Sequence, residues 1–425
     1  MIIKNIRLIN PMTEFDDIVD IVIKDEKIDK IGSNLEDNDD KQEIDGEGLI
    51  CAPGLIDVHV HFRDPGFTHK EDIYTGAKAA AAGGFTTVVL MGNTKPSVDN
   101  VDTLNYVLKK GEETDINVLS VGNVTIGMKG EKLTDFNALK EAGAAGLSDD
   151  GIPIMDESLL KEAFIKAKEL DLPVSLHEEN PEFIKNNGIN AGKISEKLGI
   201  GGSPRDAEIF MIKRDIAIAK ETGVDLNIQH ISTKEGVEMI REARKTHRNI
   251  HAEATPHHFS LTEDAVLEFG THAKMNPPLR LEEDRQAIIS AIKDGTIEII
   301  ATDHAPHAKD EKNQEITKAP SGILGLETAL PLGITELVDK GYLEYSDLID
   351  RMSVGPAKLY HIDSEAGSVV EGRRADLVIF DPKESFIIEE FKSKSQNSPF
   401  KGIKLNGKIK YTICNGKVVY SDGEN

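Results

Sequence analysis

The sequence predicts an α/β protein: a (β/α)8 TIM barrel with a small β-sandwich domain formed from both termini. In the middle of the chain, apolar strand-like runs alternate eight times with helical segments, and β-rich segments stand at both ends. Alternating strands and helices are typical of a parallel sheet. Eight such units over about 250 residues are the usual size of a barrel, whose active site lies at the carboxyl ends of its strands.

The two ends of the chain predict one small domain, and the middle predicts the barrel. The far end carries strand-like runs, two of which are joined by Asn415-Gly416, a dipeptide that is typical of tight hairpin turns. The predicted domains are residues 1–53 plus 366–425 for the small β domain and residues 54–365 for the barrel.

The barrel elements follow one another in the order that the spacing of apolar residues indicates. The predicted strands are residues 55–61, 86–92, 117–123, 145–149, 173–178, 225–230, 250–254 and 297–303. The predicted helices between them include residues 71–82, 157–169, 205–221, 234–246 and 283–293. Side chains at the last positions of the eight strands are therefore expected to meet at one rim of the barrel.

The composition is that of a globular protein and argues against several classes. Hydrophobic residues make up 39% of the 425 residues, and we find no apolar run long enough to span a bilayer. The formal net charge of -24 argues against nucleic-acid binding, which needs a basic surface. Cys51 and Cys414 are the only cysteines, which excludes a disulfide framework and a cysteine zinc site. The first residues do not resemble a signal peptide, so we expect a cytoplasmic location.

The first barrel strand carries a candidate pair of metal ligands. Because side chains alternate along a strand, His59 and His61 lie on one face together with Asp57. Two neutral imidazoles at a strand end can bind the same zinc ion. Two core histidines would give the same pattern, so the later strand ends decide between these interpretations.

Several later strands end in residues that bind metals. His177, His230 and Asp303 end the fifth, sixth and eighth predicted strands, and Asp149 and Asp150 end the fourth. This set is larger than one tetrahedral ion needs, and it predicts two ions that share a bridging carboxylate. Neighbours on a strand point oppositely, so either Asp149 or Asp150 supplies the bridge, and the sequence alone leaves both open.

Taken together, these motifs resemble the amidohydrolase superfamily and, within it, the type I dihydroorotase family. The resemblance rests on residues 59–66, 92–96, 148–151 and 301–307, with 276–280 and 322–328 fitting the same pattern. It implies two zinc ions per subunit, although histidine and aspartate ligands also suit manganese or cobalt. The ligands that it implies are His59, His61 and Asp303 for the first ion, His177 and His230 for the second, and Asp150 as the bridge.

The resemblance also implies a reaction: the reversible cyclisation of N-carbamoyl-L-aspartate to L-dihydroorotate plus water, the third step of de novo pyrimidine (UMP) biosynthesis. A metal-activated hydroxide would attack the ring, and Asp303 would act as general acid and base. Arg63 offers a planar fork for the substrate carboxylate, although an ion pair with Asp64 is the alternative. The implied substrate-binding residues are His61, Arg63, Asn93, Asn276, His307, Ser321 and Gly322.

Other polar residues near the strand ends receive supporting roles. We expect His257 and His258 to be structural or to support the ligands, and His304 to point away from the metals behind Asp303. The polar segment 308–320 predicts a loop that closes over the substrate, with Gly322 as its hinge. A solvated surface loop is the alternative.

Two other functions compete with this interpretation. Another cyclic-amide hydrolase (allantoinase, hydantoinase or dihydropyrimidinase) would share the histidine pair, but the last two act on neutral rings that do not need Arg63. A non-catalytic dihydroorotase-like scaffold for aspartate carbamoyltransferase would lack metal ligands, whereas every ligand position is filled here. A homodimer and a complex with that transferase are left open by the sequence.

Overall fold

The computed structural model describes residues 1–36 and 42–423. Its strands are β1 (Ile2–Asn10), β2 (Phe15–Lys24), β3 (Lys27–Gly32), β4 (Glu43–Asp45), β5 (Ile50–Pro53), β6 (Leu55–Val60), β7 (Phe85–Leu90), β8 (Asn117–Ser120), β9 (Val174–Leu176), β10 (Leu226–Ile228), β11 (Ile250–Ala254), β12 (Ile299–Ile300), β13 (Leu377–Ile387), β14 (Lys404–Cys414) and β15 (Lys417–Ser421).

The α-helices are more numerous in the second half of the barrel. They are α1 (Ile73–Ala82), α2 (Val101–Glu112), α3 (Phe136–Glu141), α4 (Glu157–Glu169), α5 (Lys193–Lys197), α6 (Arg205–Thr222), α7 (Lys234–Arg244), α8 (Pro256–Ser260), α9 (Ala265–Phe269), α10 (Glu282–Asp294), α11 (Lys309–Lys312), α12 (Ala329–Gly333), α13 (Tyr345–Ile349) and α14 (Gly355–Leu359). Within the two described ranges, none of these helices is long and apolar enough to cross a bilayer.

The predicted barrel is confirmed. Strands β6, β7 and β8 form one parallel group, and β9 to β12 form a second. Leu147 joins the two groups because it pairs in parallel with Gly122 on one side and with Val174 on the other. The opposite seam is closed where Val60 pairs with His304. The fold is therefore an eight-membered parallel barrel, as in proteins whose sites lie at the carboxyl ends of the strands.

The fourth predicted strand, residues 145–149, differs from the prediction. It occupies the right place in the barrel but makes only the isolated pairing of Leu147. The segment begins with alanine and glycine, which have low β propensity. Six other strands end one to three residues earlier than predicted. In two of them the reason is visible, because His230 and Asp303 adopt positive φ angles of 32° and 48° that cannot continue an extended strand.

The barrel helices show how the sequence directs the chain. In α4, Asp156 caps the first turn by accepting hydrogen bonds from the backbone N–H groups of Ser158 and Leu159. The apolar residues recur with helical spacing, so one face that includes Leu160 and Phe164 is buried against the strands. This arrangement leaves the carboxyl ends of the strands free for the loops that carry polar residues.

The two ends of the chain meet in one sheet. Strand β13 pairs antiparallel with β5, and the order is β15-β14-β13-β5-β1-β2-β3, with β4 beside β1. Residues such as Ile21 and Ile379, from opposite halves of the sheet, lie in one buried cluster. The backbone of Ile28 in β3 also bonds that of Gly372 and Arg373. The sheet thus folds over its own apolar face, which confirms the predicted β-sandwich.

One part of the C-terminal segment lies against the barrel. Between β13 and β14, the hydroxyl of Ser393 donates to Glu71, which precedes α1. The side chain of Asn397 reaches the backbone of Ala305 and Gly322. The boundary at residue 366 stays a prediction, and these contacts join the terminal segment to the loops at the carboxyl rim.

Candidate metal centre

Six buried side chains converge at the carboxyl rim of the barrel. They come from the carboxyl ends of four of the named strands and from the segment around Leu147. They are the predicted ligands His59, His61, Asp150, His177, His230 and Asp303. His59 and His61 share one strand end, and each of the other four residues comes from a different segment of the barrel. The parallel barrel brings all of these ends to one rim.

The first group surrounds one point. The Nε2 atoms of His59 and His61 lie 3.5 and 3.4 Å from the two carboxylate oxygens of Asp150. The same two nitrogens lie 3.6 and 3.0 Å from Oδ1 of Asp303. Two nitrogen and two carboxylate ligands in this arrangement are a donor set that zinc accepts.

The second group shares Asp150 with the first. His177 Nδ1 and His230 Nε2 lie 3.1 Å apart, and His230 Nε2 lies 3.8 Å from Asp150 Oδ1. Asp150, His177 and His230 offer ligand atoms that all lie within 4.8 Å of one another. Asp150 therefore stands between two sets of imidazoles, which supports its assignment as the bridge.

Asp149 has a different environment. Its carboxylate accepts hydrogen bonds from the backbone N–H groups of Val124 and Thr125 and from the Thr125 hydroxyl. Burial raises the pKa of Asp149 to about 6, although these hydrogen bonds oppose the shift. Burial acts in the same direction on Asp150, but the positive charge of the neighbouring histidines, first of all His59 and then His61, holds the pKa of Asp150 well below its ordinary value. The pKa values of the two neighbours are thus shifted in opposite directions.

Polar contacts decide which ring nitrogen of three of the four histidines faces the cluster. His59 Nδ1 donates to Glu253 Oε1 at 2.6 Å, and His61 Nδ1 donates to Asn93 Oδ1 at 2.9 Å. These two rings therefore turn Nε2 toward the aspartates. On His177 it is Nε2 that lies 3.2 Å from a carboxylate oxygen of Glu179, so Nδ1 faces the cluster. Among the described residues, His59 Nε2 has no hydrogen-bond partner, as expected for a metal ligand.

Three residues of the site have strained backbones. Arg63, His230 and Asp303 have φ angles of 59°, 32° and 48°. Residues other than glycine rarely adopt this left-handed backbone conformation, and each instance costs about 1–3 kcal/mol. Strain of this kind concentrates at functional sites, and here it turns the three side chains away from the strand direction toward the rim.

A cavity of about 440 Å³ opens above the cluster. Among its lining residues are all of the predicted substrate-binding residues: His61, Arg63, Asn93, Asn276, His307, Ser321 and Gly322. Arg63 is held by the Pro306 carbonyl, which accepts from Nε at 3.2 Å. Within the described chain, Asn276 Oδ1 and Ser321 Oγ are buried without hydrogen-bond partners. These atoms are available to a ligand.

Asn93 differs from Asn276 and Ser321 because its side-chain oxygen and nitrogen already have hydrogen-bond partners. Its oxygen accepts from His61 Nδ1, and its amide nitrogen donates to Asp150 Oδ2 at 3.1 Å. It therefore orients two of the candidate metal ligands, and its role as a substrate donor stays a prediction.

Two further histidines of the rim, His304 and His258, have structural partners. His304 points away from the cluster: its Nδ1 accepts from the Gly325 backbone N–H at 3.2 Å. His258 bonds the Thr255 hydroxyl and the Pro277 carbonyl, at 2.8 and 3.1 Å. It thereby supports the turn that presents Asn276 to the cavity. Burial lowers the pKa of His258 well below its ordinary value, so the ring is neutral.

Comparison with known proteins agrees with this geometry. The Dihydro-orotase-like family matches residues 48–236, and the Amidohydrolase family matches residues 320–420. The dihydroorotase of Clostridioides difficile is 55% identical over 99% of this chain and 100% of its own length. That of Clostridium acetobutylicum is 53% identical over the same shares.

The chain belongs to the dihydroorotase family. Among solved structures, the L-hydantoinase (dihydropyrimidinase) of Arthrobacter aurescens superposes with a TM-score of 0.89 at 27% identity, covering 100% of this chain and 96% of its own. The barrel with its β-sandwich is therefore shared with cyclic-amide hydrolases, whereas the sequence is much closer to the dihydroorotases. A metal-dependent hydrolase follows from the family and from the histidine and aspartate groups described above.

Glu253 is a residue of this dihydroorotase site that sequence reasoning missed. It is fully buried in β11, and its Oε1 accepts from His59 Nδ1 and from the His230 backbone N–H at 3.2 Å. Its Oε2 accepts from Asn227 at 3.0 Å. The strands of a parallel barrel are buried on both faces, so a charged residue within one of them was the signal that could have indicated a functional role. Glu253 therefore bonds one histidine of each group.

We expect Glu253→Gln to weaken metal binding by about 10- to 100-fold, the usual cost of losing an outer partner of a ligating histidine. Glutamine keeps the shape and one acceptor but removes the charge that makes His59 a better ligand. Competition with a zinc chelator measures the affinity, and circular dichroism controls for folding. Unchanged affinity in a folded variant would contradict this role.

Proposed function

We propose that this chain catalyses the reversible cyclisation of N-carbamoyl-L-aspartate to L-dihydroorotate. The observation that carries the proposal is Arg63 in the cavity directly above the histidine and aspartate cluster. Dihydroorotate carries a carboxylate, and a guanidinium can bind it with two parallel hydrogen bonds. The names of the full-length relatives support the same reaction.

We further propose that the site holds two zinc ions. His59, His61 and Asp303 would bind one, His177 and His230 the other, and Asp150 would lie between them. When bound, such ions lower the pKa of water to about 7 and polarise the carbonyl under attack.

The protein's own residues account for the proton transfer. Asp303 lines the cavity, and its Oδ1 lies 3.0 Å from His61 Nε2. Although burial raises the pKa of Asp303, the neighbouring histidines His61 and His59 hold it below the ordinary value. Asp303 is therefore ionised before the reaction and can take a proton. It would pass this proton to the ring nitrogen when the amide bond breaks.

Other cavity residues hold the substrate in place. The charges of Asp303 and Asp150 favour the protonated form of Arg63, although burial lowers its pKa; its ordinary pKa is so high that it stays charged. The net charge of the chain is -24, so this local positive charge is needed to attract an anion. Asn276 offers a free amide oxygen to the ring N–H groups.

The reaction is tested with a panel of cyclic amides. The purified protein should hydrolyse L-dihydroorotate, lose activity on chelation and regain it with zinc, and leave dihydrouracil, hydantoin and allantoin nearly untouched. Arg63→Met should raise KM for dihydroorotate by at least about 10-fold, the scale of a lost charge-assisted pair. Removal of the exposed Lys129 charge in Lys129→Met is the control.

Two outcomes would overturn this assignment. Preferred turnover of a neutral ring would favour a hydantoinase or dihydropyrimidinase, the activities named for structural neighbours. No bound metal and no turnover would favour a non-catalytic scaffold. A cytoplasmic location, a homodimer and a complex with aspartate carbamoyltransferase are further proposals, and sedimentation with and without the transferase tests the last two.

A further inference from the structure

Two buried lysines lie beneath the loop that follows the eighth strand. Lys274 precedes the turn that carries Asn276, and Lys312 ends α11. Each is only 2% exposed. In the described part of the chain neither lysine forms a salt bridge, and the adjacent carboxylate of Glu311 pairs with Lys70 at 2.8 Å. The two ammonium groups are thus buried without a carboxylate partner.

The ammonium groups bind backbone carbonyls of the loop instead. Lys274 Nζ donates to the carbonyls of Ile316 and Ala319 at 2.8 and 2.6 Å. Lys312 Nζ donates to those of Pro320 and Gly322 at 2.9 and 3.0 Å. These four bonds reach both ends of the stretch 316–322, and residues 317–322 line the substrate cavity. We call the two lysines and these four carbonyls the lysine clamp.

The far end of the loop is also held by contacts outside the lysine clamp. Asn397 Nδ2 donates to the carbonyls of Gly322 and Ala305, at 3.1 and 3.0 Å. Gly322 has a φ of +123°, and a Cβ there would lie 2.7 Å from that of Ala305. This end is therefore fixed by the fold. Residues 316–320 are bonded by the side chains of the lysine clamp at Ile316, Ala319 and Pro320.

Burying two ammonium groups without carboxylate partners costs free energy, which argues that the lysine clamp has a function. Burial lowers the pKa of Lys274, and burial with the charge of Lys274 lowers the pKa of Lys312 to about 7. Two apolar side chains would fill the same space without this penalty. Charge-assisted bonds to carbonyls hold a loop more firmly than neutral ones. Lys274 lines the cavity, so its ammonium group also adds positive charge where an anionic ligand enters.

We propose that Lys274 and Lys312 are positioning residues that hold residues 316–322 in place at the wall of the cavity and make it attractive to a carboxylate substrate. This inference rests on the proposed function for the identity of the substrate. The clamp acts on binding rather than on proton transfer, because neither ammonium is needed to move a proton. Its loss therefore raises KM more than it lowers kcat.

The test compares Lys274→Met and Lys312→Met with Lys309→Met. Methionine fills the buried space without charge, and Lys309 is an exposed lysine on the same short helix as Lys312. We expect KM for dihydroorotate to rise by about 10- to 100-fold in the first two variants, the scale of one or two lost charge-assisted hydrogen bonds, with kcat within about 3-fold of wild type. Amide hydrogen exchange of residues 313–322 should accelerate in both. The control should match the wild type.

Several results would overturn the inference. Unchanged exchange in both methionine variants would show that the loop does not depend on the lysines. Faster exchange with unchanged KM, or a fall in kcat alone, would show that its position does not serve binding. If a methionine variant fails to fold, Lys312→Gln is judged by the same criteria. Exchange is measured without substrate, so a failure of the proposed function leaves this part of the test intact.

Discussion

Replacing Asp303 by asparagine is expected to abolish most of the hydrolysis of dihydroorotate. General acid–base catalysis contributes about 10²–10⁴-fold to a rate, and an amide cannot take up the proton. We expect kcat to fall by at least about 10³-fold. The side chain keeps its size and its contact with His61 Nε2, which lies 3.0 Å from Oδ1 in the wild type. Steady-state kinetics at saturating substrate measure the effect.

The control for Asp303→Asn is its metal content. Because His59 and His61 are supported by Glu253 and Asn93, the variant should retain at least one metal ion per chain. Asp310→Asn, at an exposed aspartate in α11, removes the same charge outside the site and should leave kcat unchanged. A kcat within 10-fold of wild type in metal-loaded Asp303→Asn would exclude Asp303 as the acid and base.

Asp150→Asn is expected to remove metal as well as activity. Asp150 lies within 3.8 Å of the Nε2 atoms of His59, His61 and His230, and a neutral amide is a much weaker ligand than a carboxylate. Loss of a shared ligand weakens the binding of both ions, so bound metal should fall below one ion per chain. Activity should fall by on the order of 10³-fold or more. Elemental analysis after gel filtration measures the metal.

Asp149→Asn provides the matched comparison, because the two residues are neighbours in the chain. Asp149 bonds Val124 and Thr125 rather than the histidines. Its replacement should therefore retain metal but reduce the free energy of unfolding by about 1–3 kcal/mol. Urea unfolding measures that change. Metal loss from Asp149→Asn together with metal retention in Asp150→Asn would reverse the assignment of the bridge.

The barrel and its polar rim were predictable because both depend on local patterns. Apolar runs of strand length alternate with helical segments, and a parallel barrel brings all carboxyl ends together. Residues at those ends, such as His177 and Asp303, could be selected without knowing any distance. The fourth strand was less predictable, because Leu147 makes only isolated pairings that depend on its neighbours.

Outer contacts of the site could not be predicted. Glu253 lies 194 residues from His59 in the chain, and Asn397 lies 75 residues from Gly322. Neither contact leaves a pattern in a single sequence, because contacts between distant strands and loops arise only when the barrel closes. The lysine clamp has the same origin: Lys274 is 45 residues from the Ala319 carbonyl that it binds.

The sequence by itself determined the barrel, the paired termini and the set of histidines and aspartates at the rim. Hydrophobic periodicity and residue type are local properties, and they suffice for these features. Only the tertiary structure decided that Asp150, not Asp149, stands among the histidines, which ring nitrogen each histidine presents, and how the loop above the cavity is held. These are questions of side-chain direction and partner, and both depend on contacts that form when distant segments pack together.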